Sequence, residues 1–251
     1  MNRSKRIEKI VAIVEKEKEV KVSLLPERVE ASRDTIRRDI IYLAELGVIE
    51  RTHGYIKLAA NYKKLETYNR RLVAATESKL ILAKLAKSLL KQQQTIYLDV
   101  STTIATLAEQ LTDMPLNVFT NSLDVINELV TKEQIQTYTF GGKLNTQSRY
   151  IQTTDISLDM QMVQFDYCLI SAPSISEDGI FYAYPDDFYF KKLLRKQSKK
   201  LVLLVDDSKF DNNHNFKVFG FEDIDLVIAN RSLPSNIMAK LKQHNVKILL
   251  P

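Results

Sequence analysis

Ser32-Arg33-Asp34-Thr35-Ile36-Arg37-Arg38-Asp39-Ile40 decides how this chain is read. Ser32 is a strong N-cap, because its hydroxyl can accept a hydrogen bond from an unpaired first-turn amide. Ile36, Ile40, Leu43 and Leu46 follow three or four residues apart, the spacing of one apolar helix face. Gly47 tolerates the left-handed conformation that ends a helix. Arg33, Thr35, Arg37 and Arg38 are left on the outer surface. Hydroxyl and guanidinium groups on the first two turns suit a DNA major groove, where arginine pairs with guanine or clamps phosphate. The segment reads as a recognition helix.

Working outward, Arg3 to Lys18 predicts a helix with Ile7, Ile10, Val11 and Val14 on one face. Ser23 is positioned to cap a short helix through Val29, with Pro26 in the first turn, where a missing amide costs little. A turn at Glu30-Ala31 completes a helix-turn-helix order. Val48 to Leu58 predicts two short strands around a turn, a wing that puts Arg51 and His53 near phosphate or minor groove. His53 is equally readable as an ordinary exposed turn histidine.

Charge agrees with this placement. The 251-residue chain carries +5 overall. Residues 1–76 hold 17 Lys+Arg against 11 Asp+Glu, whereas residues 77–251 hold 19 against 20. The basic excess therefore sits in the N-terminal third, where a polyanion would be met. Apolar residues make up 45% of the chain, enough for a real core. The single cysteine, Cys168, excludes a disulfide within the chain and suits a reducing cytoplasm. No apolar run approaches the ~18 residues of a membrane span, and the basic N-terminus lacks a signal-like apolar region. No membrane partner is expected, and a cytoplasmic location is.

Ala59 to Thr76 is polar and basic and reads as a linker. Three parts are expected: a winged helix-turn-helix over 1–58, a linker over 59–76, and a larger domain over 77–251. A helix is expected from Ser78 to about Gln92. Beyond it, β-rich runs at Thr95–Asp99, Val118–Asn121, Gln136–Phe140, Tyr167–Ser171, Leu201–Asp206, Leu226–Asn230 and Val246–Leu250 alternate with helical patterns. Those patterns cover Thr102–Leu111, Leu123–Thr131, Asp155–Val163, Asp187–Gln197 and Ser235–His244. The alternation predicts an α/β domain around a mostly parallel sheet.

Ligands of such sheets sit beyond the carboxyl ends of the strands. Those ends carry Asp99, Thr120-Asn121, Gly141-Gly142, Ser171, Asp206 and Asn230. Any one of them is readable as a helix cap, whereas together they outline a small-molecule site. Asp99-Val100-Ser101-Thr102-Thr103 is the strongest anion candidate, because it sets hydroxyls and free amides at a helix N-terminus. Lys209, just after a buried strand, is a candidate counter-charge.

The run from Ala31 to Ile40, with Leu43, Leu46-Gly47 and Arg51-Thr52-His53-Gly54, resembles the DNA-binding signature of DeoR-family regulators. These are bacterial sugar-metabolism repressors with an N-terminal winged helix-turn-helix. The second half also looks like the effector domain of that family, whose fold resembles ribose-5-phosphate isomerase. The resemblance rests on Asp99 with Thr102-Thr103, Thr120-Asn121, Gly141-Gly142, Asp178-Gly179, Lys191, and Asp206 with Ser208-Lys209-Phe210. It implies a double-stranded DNA operator and a sugar-phosphate effector. The DNA-contacting set would be Ser32, Arg33, Thr35, Arg37, Arg38, Arg51 and His53. The effector set would be Asp99, Ser101, Thr102, Thr103, Asn121, Gly141, Gly142, Asp187, Lys191, Asp206 and Lys209. The chain departs from the family pattern at Ser101, where glycine is usual, and at Asp187, where glutamate is usual. It departs also at Pro26, Tyr55, Tyr150-Ile151-Gln152 and Pro173.

Two further function classes compete. One is a DNA-binding protein whose second domain only oligomerises. The other is a sugar-phosphate isomerase or hydrolase, with Asp99, Asp187, Asp206 and Lys209 as acid/base groups. No nucleophile–base motif or metal-ligand spacing supports an enzyme, so no cofactor or metal is expected. A homodimer or homotetramer is expected of a protein that reads paired DNA half-sites.

Overall fold

The computed structural model describes residues 3–45, 48–59, 76–146, 148–153, 162–182, 188–210 and 216–251. The expected helix over Asp155–Val163, most of the linker, Leu46-Gly47 and Asp187 fall largely or wholly outside those residues. The chain divides into two compact units, Met1–Glu77 and Ser78–Pro251.

The N-terminal unit contains α1 (Arg3–Glu17), β1 (Glu19–Lys21), α2 (Leu25–Val29), α3 (Arg33–Glu45), β2 (Ile49–Thr52) and β3 (Tyr55–Leu58). Ile10, Val14, Leu25, Val29, Ile36, Ile40, Leu43 and Ile56 pack into one buried cluster that joins the helices to the wing. The predicted apolar stripes of α1 and α3 are the faces turned inward. Two local expectations are corrected. The wing sheet has three strands in the order β1-β3-β2, because Glu19-Val20-Lys21 pairs antiparallel with Tyr55-Ile56-Lys57. Ser23 does not cap α2: it lies in a 3-10 turn over Val22–Leu24, which leads into a helix begun by Leu25 and Pro26. A proline there supplies the helical φ without sacrificing a bonded amide.

The second unit opens within α4 (Thr76–Lys87), which stops short of the expected end near Gln92. It then runs β4 (Thr95–Leu98), α5 (Thr102–Gln110), β5 (Leu116–Thr120), α6 (Leu123–Leu129), β6 (Ile135–Tyr138), β7 (Gly142–Asn145) and β8 (Tyr150–Thr153). It continues β9 (Phe165–Ser171), β10 (Ser174–Ser176), β11 (Gly179–Tyr182), α7 (Phe188–Lys196), β12 (Ser198–Val205), β13 (Phe216–Phe219), β14 (Leu226–Ala229), α8 (Ser235–Gln243) and β15 (Lys247–Leu249). Seven strands form one parallel sheet in the order β15-β14-β12-β9-β4-β5-β6. These are the seven β-rich runs read from the sequence. The near-continuous apolar character of the inner strands β4, β9, β12 and β14 follows from burial on both faces, whereas the edge strands β6 and β15 are more exposed. Along β12, Leu201, Leu203 and Val205 join the cluster with Leu194 of α7 and Leu241 of α8. Val202 and Leu204 face the cluster with Leu82 of α4, Leu107 of α5 and Val125 of α6.

Two small antiparallel pieces were not foreseen: the β7–β8 hairpin and a β10-β11-β13 sheet. Gly142 is required in the hairpin, because an added Cβ would sit 2.1 Å from the Gln152 carbonyl oxygen. No helix among the described residues is long and apolar enough to cross a membrane.

Candidate functional site

In the N-terminal unit Ser32 caps α3, its Oγ accepting from the Thr35 amide at 3.2 Å. The same Oγ lies 2.8 Å from Thr35 Oγ1, so both hydroxyls are already engaged with one another. Arg33, Arg37 and Arg38 are exposed on α3, as are Arg51 and His53 on the wing. None of those four guanidinium groups has an acidic partner among the described residues. They are free to meet phosphate. His53 and Gly54 occupy the two-residue turn of the β2–β3 hairpin with φ of 34° and 87°. Positive φ at both positions is what such a turn requires to match strand twist.

One element of this unit escaped the sequence reading. Asp39, on the inner side of α3, is almost wholly buried and receives Arg6 Nε at 2.5 Å and Arg6 Nη2 at 3.2 Å. This two-point clamp ties α1 to the recognition helix. Its signal was a charged residue in the same helical register as Ile36, Ile40 and Leu43.

In the second unit the chain lays down β4, β5 and β6 outward in one direction. It then crosses back to β9 on the other side of β4 and continues through β12, β14 and β15. The strand order therefore reverses between β4 and β9. In open parallel sheets the crevice beyond such a reversal point is where ligands bind. Asp99 follows β4 there. Its carboxylate receives Lys191 Nζ, from α7, at 2.7 and 2.9 Å. The ammonium also lies 4.7 Å from the centre of the Tyr182 ring, whose hydroxyl donates to the Ser171 carbonyl at 3.1 Å. Asp99, Lys191, Tyr182 and the end of β9 thus form one cluster. Tyr182 had not been singled out.

Ser101 caps α5 by accepting from the Ile104 amide at 3.0 Å, and Thr102 and Thr103 are buried beside it. On the next strand Thr120 Oγ1 donates to the Leu98 carbonyl at 2.7 Å and accepts from the Ser122 amide at 3.1 Å. Asn121 Nδ2 donates to the Ile151 carbonyl (2.8 Å) and Thr153 Oγ1 (2.6 Å), which docks β8 on the end of β5. Asn121 Oδ1 is buried and has no hydrogen-bond partner among the described residues.

Further along the sheet Asp206 is buried and accepts from the Ser208 amide at 2.9 Å, with Lys209 Nζ 3.9 Å away. Asn230 accepts from the Asp207 amide at 3.0 Å and donates to Ser78 Oγ at 3.0 Å. Asp99, Asn121 and Asp206 therefore each follow the last residue of a strand, β4, β5 and β12, at the carboxyl ends of one sheet. Gly142 has the packing role given above, whereas among the described residues nothing lies within 4 Å of a Cβ added at Gly141. Asp187 lies outside the described residues. Cys168 is fully buried, and burial, followed by the Asp99 charge, pushes its thiol far above the ordinary range. It is no nucleophile. Among the described residues no cluster of histidine, cysteine and carboxylates could hold a metal ion.

Comparison with known proteins supports the same partition. Residues 6–61 match the model of the DeoR-like helix-turn-helix domain, and residues 74–231 match that of the DeoR C-terminal sensor domain. The chain is 33% identical over 216 residues to the HTH-type transcriptional repressor GlcR of Bacillus subtilis (strain 168), covering 86% of this chain and 83% of that protein. It is 26% identical to the glycerol-3-phosphate regulon repressor of Escherichia coli (strain K12) over the full length of both. Identity to the L-fucose operon activator of Haemophilus influenzae (strain ATCC 51907 / DSM 11121 / KW20 / Rd) is 29%, over 98% of this chain and 99% of that one. Among solved structures, ribose 5-phosphate isomerase A of Methanocaldococcus jannaschii aligns over 55% of each chain with a TM-score of 0.40 at 20% identity. Free guanidinium groups on a capped helix, a row of buried polar side chains at a sheet reversal and these two domain matches together identify the chain as a member of the DeoR family of DNA-binding transcription regulators.

Proposed function

We propose that this protein represses sugar-utilisation genes and is released from its operator by a phosphorylated sugar. The observation that carries the reading is the set of buried polar groups gathered past the carboxyl ends of β4, β5 and β12, namely Asp99 with its Lys191 partner, Ser101, Asn121 and Asp206. The N-terminus of α5 suits an anion, and the carboxylate and amide oxygens suit sugar hydroxyls. Relatives named for glycerol 3-phosphate and for fucose point to the same ligand class. The division of labour is a winged helix-turn-helix over 1–58, a linker over 59–76 and an effector domain over 77–251. The protein works as a homodimer or homotetramer in the cytoplasm, where its operator lies.

It binds the sugar without converting it. Asp99 and Lys191 neutralise one another through both carboxylate oxygens, so neither stands ready as a free base or acid. A ligand that favours one arrangement of the protein shifts its DNA affinity by its difference in affinity for the two arrangements.

The test is a thermal-shift screen of the whole chain against sugar mono- and bisphosphates. Binding to the native state raises the melting temperature by mass action. A selective rise that is lost in Lys209→Ala, with loss of DNA binding at the same ligand concentration, supports the reading. Absence of any shift across the panel, or steady turnover of a sugar phosphate, overturns it.

A further inference from the structure

The seven-stranded sheet has two edges, β15 and β6, and the chain treats them differently. β15 starts with Lys247 and is followed within two residues by Pro251. Lysine and proline are the usual guards of an exposed edge. β6 has neither. It lies in an uncharged run, Gln134-Ile135-Gln136-Thr137-Tyr138-Thr139-Phe140-Gly141-Gly142, within a chain that is 27% charged. Gln136, Thr137, Tyr138 and Thr139 are all exposed. Among the described residues β6 pairs only with β5, and no bulge interrupts that pairing.

The face beside this edge is also open. Tyr138, 41% exposed, stacks on Phe119 with ring centres 4.7 Å apart. With Thr95, Asn117 and Met162, 86% exposed, the two rings border a depression of about 380 Å³. An unguarded edge continuous with an aromatic face is a template for strand addition.

We propose that the occupant is a second copy of this chain, and that two protomers join antiparallel through β6 to make one continuous sheet. Three observations select a copy over another protein. In a two-fold antiparallel pair each residue meets its own or a near neighbour's counterpart, and like charges directly opposite one another are destabilising. A strand with no charge is self-compatible. With Thr137 on the axis, threonine faces threonine, and Gln136 of one copy faces Tyr138 of the other. Tyr138 already hydrogen-bonds Gln136 within the strand at 2.8 Å, so the two side chains are compatible partners. An uncharged edge, moreover, offers nothing to steer a charged foreign partner. The need for two copies rests on the DNA-reading function, since paired half-sites call for a symmetric dimer. The self-association itself requires neither DNA nor effector.

The experiment is sedimentation velocity of the full chain, without DNA or sugar, over a hundredfold range of concentration. The wild type is expected to associate. Thr137→Lys and Thr137→Asp are each expected to halve the particle mass, with at least tenfold weaker association and unchanged circular dichroism. An equimolar mixture of the two is expected to restore the wild-type mass, because opposite charges then face across the axis. Thr137→Val, which keeps the strand's shape, is expected to associate as the wild type does. Hydrogen exchange gives an independent readout: amides of residues 135–139 gain protection as wild-type concentration rises. A monomeric wild type, charge variants of unchanged mass, or exchange in β6 that ignores concentration would each overturn the proposal. A failed sugar screen would leave it standing.

Discussion

Lys191 Nζ lies 2.7 and 2.9 Å from the two carboxylate oxygens of Asp99, and both side chains are at least 95% buried. The pair links α7 to the end of β4, across a sequence separation of 92 residues. Removing Lys191 strips the buried Asp99 carboxylate of its ammonium partner, and breaking a buried pair typically costs ~3–5 kcal/mol. Lys191→Met is therefore expected to destabilise the second unit by about 3 kcal/mol. The double variant Lys191→Met/Asp99→Asn should recover much of that loss, because no uncompensated charge remains. Urea unfolding followed by tyrosine fluorescence checks both outcomes.

The clamp between Arg6 and Asp39 yields a prediction about DNA. Arg38→Ala removes an exposed cation and is expected to lower the salt dependence of DNA binding by about one counterion. Asp39→Asn removes no DNA-facing charge but loosens α3 from α1. It is expected to weaken binding while leaving the salt slope unchanged. Fluorescence anisotropy on a duplex selected from a random pool, repeated at several salt concentrations, separates the two effects.

The Ser101 hydroxyl caps α5 by accepting from the Ile104 amide. Replacing a capping serine by alanine costs ~1 kcal/mol, whereas glycine costs only a few tenths. Ser101→Ala is accordingly expected to lower the melting temperature by a few degrees, and Ser101→Gly to change it little. Differential scanning calorimetry of the two variants decides the matter.

Two carboxylates should give opposite pH dependences. Burial raises the Asp166 carboxyl, but a hydrogen bond from Lys199, another from the Thr95 amide and the Lys199 charge outweigh it, so its pKa falls below the ordinary value. Its contribution is present above the unfolded-state pKa and is lost as pH falls through the folded one. Asp166→Asn should flatten stability in that acid window. Glu128 is the reverse case, its pKa raised by burial and then by the nearby Glu109 charge. Its ionisation penalises the native state above the folded-state pKa and disappears below the unfolded one. Glu128→Gln should therefore raise the melting temperature at neutral pH and have no such effect in acid. Thermal melts across pH 3 to 8 test both.

How much of this was legible differs between the halves. The recognition helix was readable because each of its features is local: a cap at Ser32, apolar spacing through Ile36, Ile40 and Leu43, and arginines between them. The inner parallel strands were readable for a related reason, since burial on both faces writes an apolar run into β4, β9, β12 and β14, and the edge strands β6 and β15 were readable from their place in the alternation of strand and helix. The β7–β8 hairpin was not, because its exposed strands, such as Gly142–Asn145, carry no apolar run, and the β10-β11-β13 sheet was not, because its strands are only three or four residues long and β13 joins from a distant part of the chain. Ser23 misled because hydroxyl capping and a 3-10 turn share the same residue preferences, and only packing of the buried Leu25 chose between them.

By itself, then, the sequence determined the family, the recognition helix with its cap, the seven strands of the parallel sheet and the polar residues that follow them, since all of these are carried by neighbours along the chain. Tertiary structure alone decided which of those residues meet. Asp99 finds Lys191, Asn121 finds Thr153, and Arg6 finds Asp39 only once the sheet order and helix packing bring distant segments together. The physical reason is that a buried charge or amide must be satisfied within hydrogen-bond distance, and that distance is set by the fold rather than by spacing in the chain.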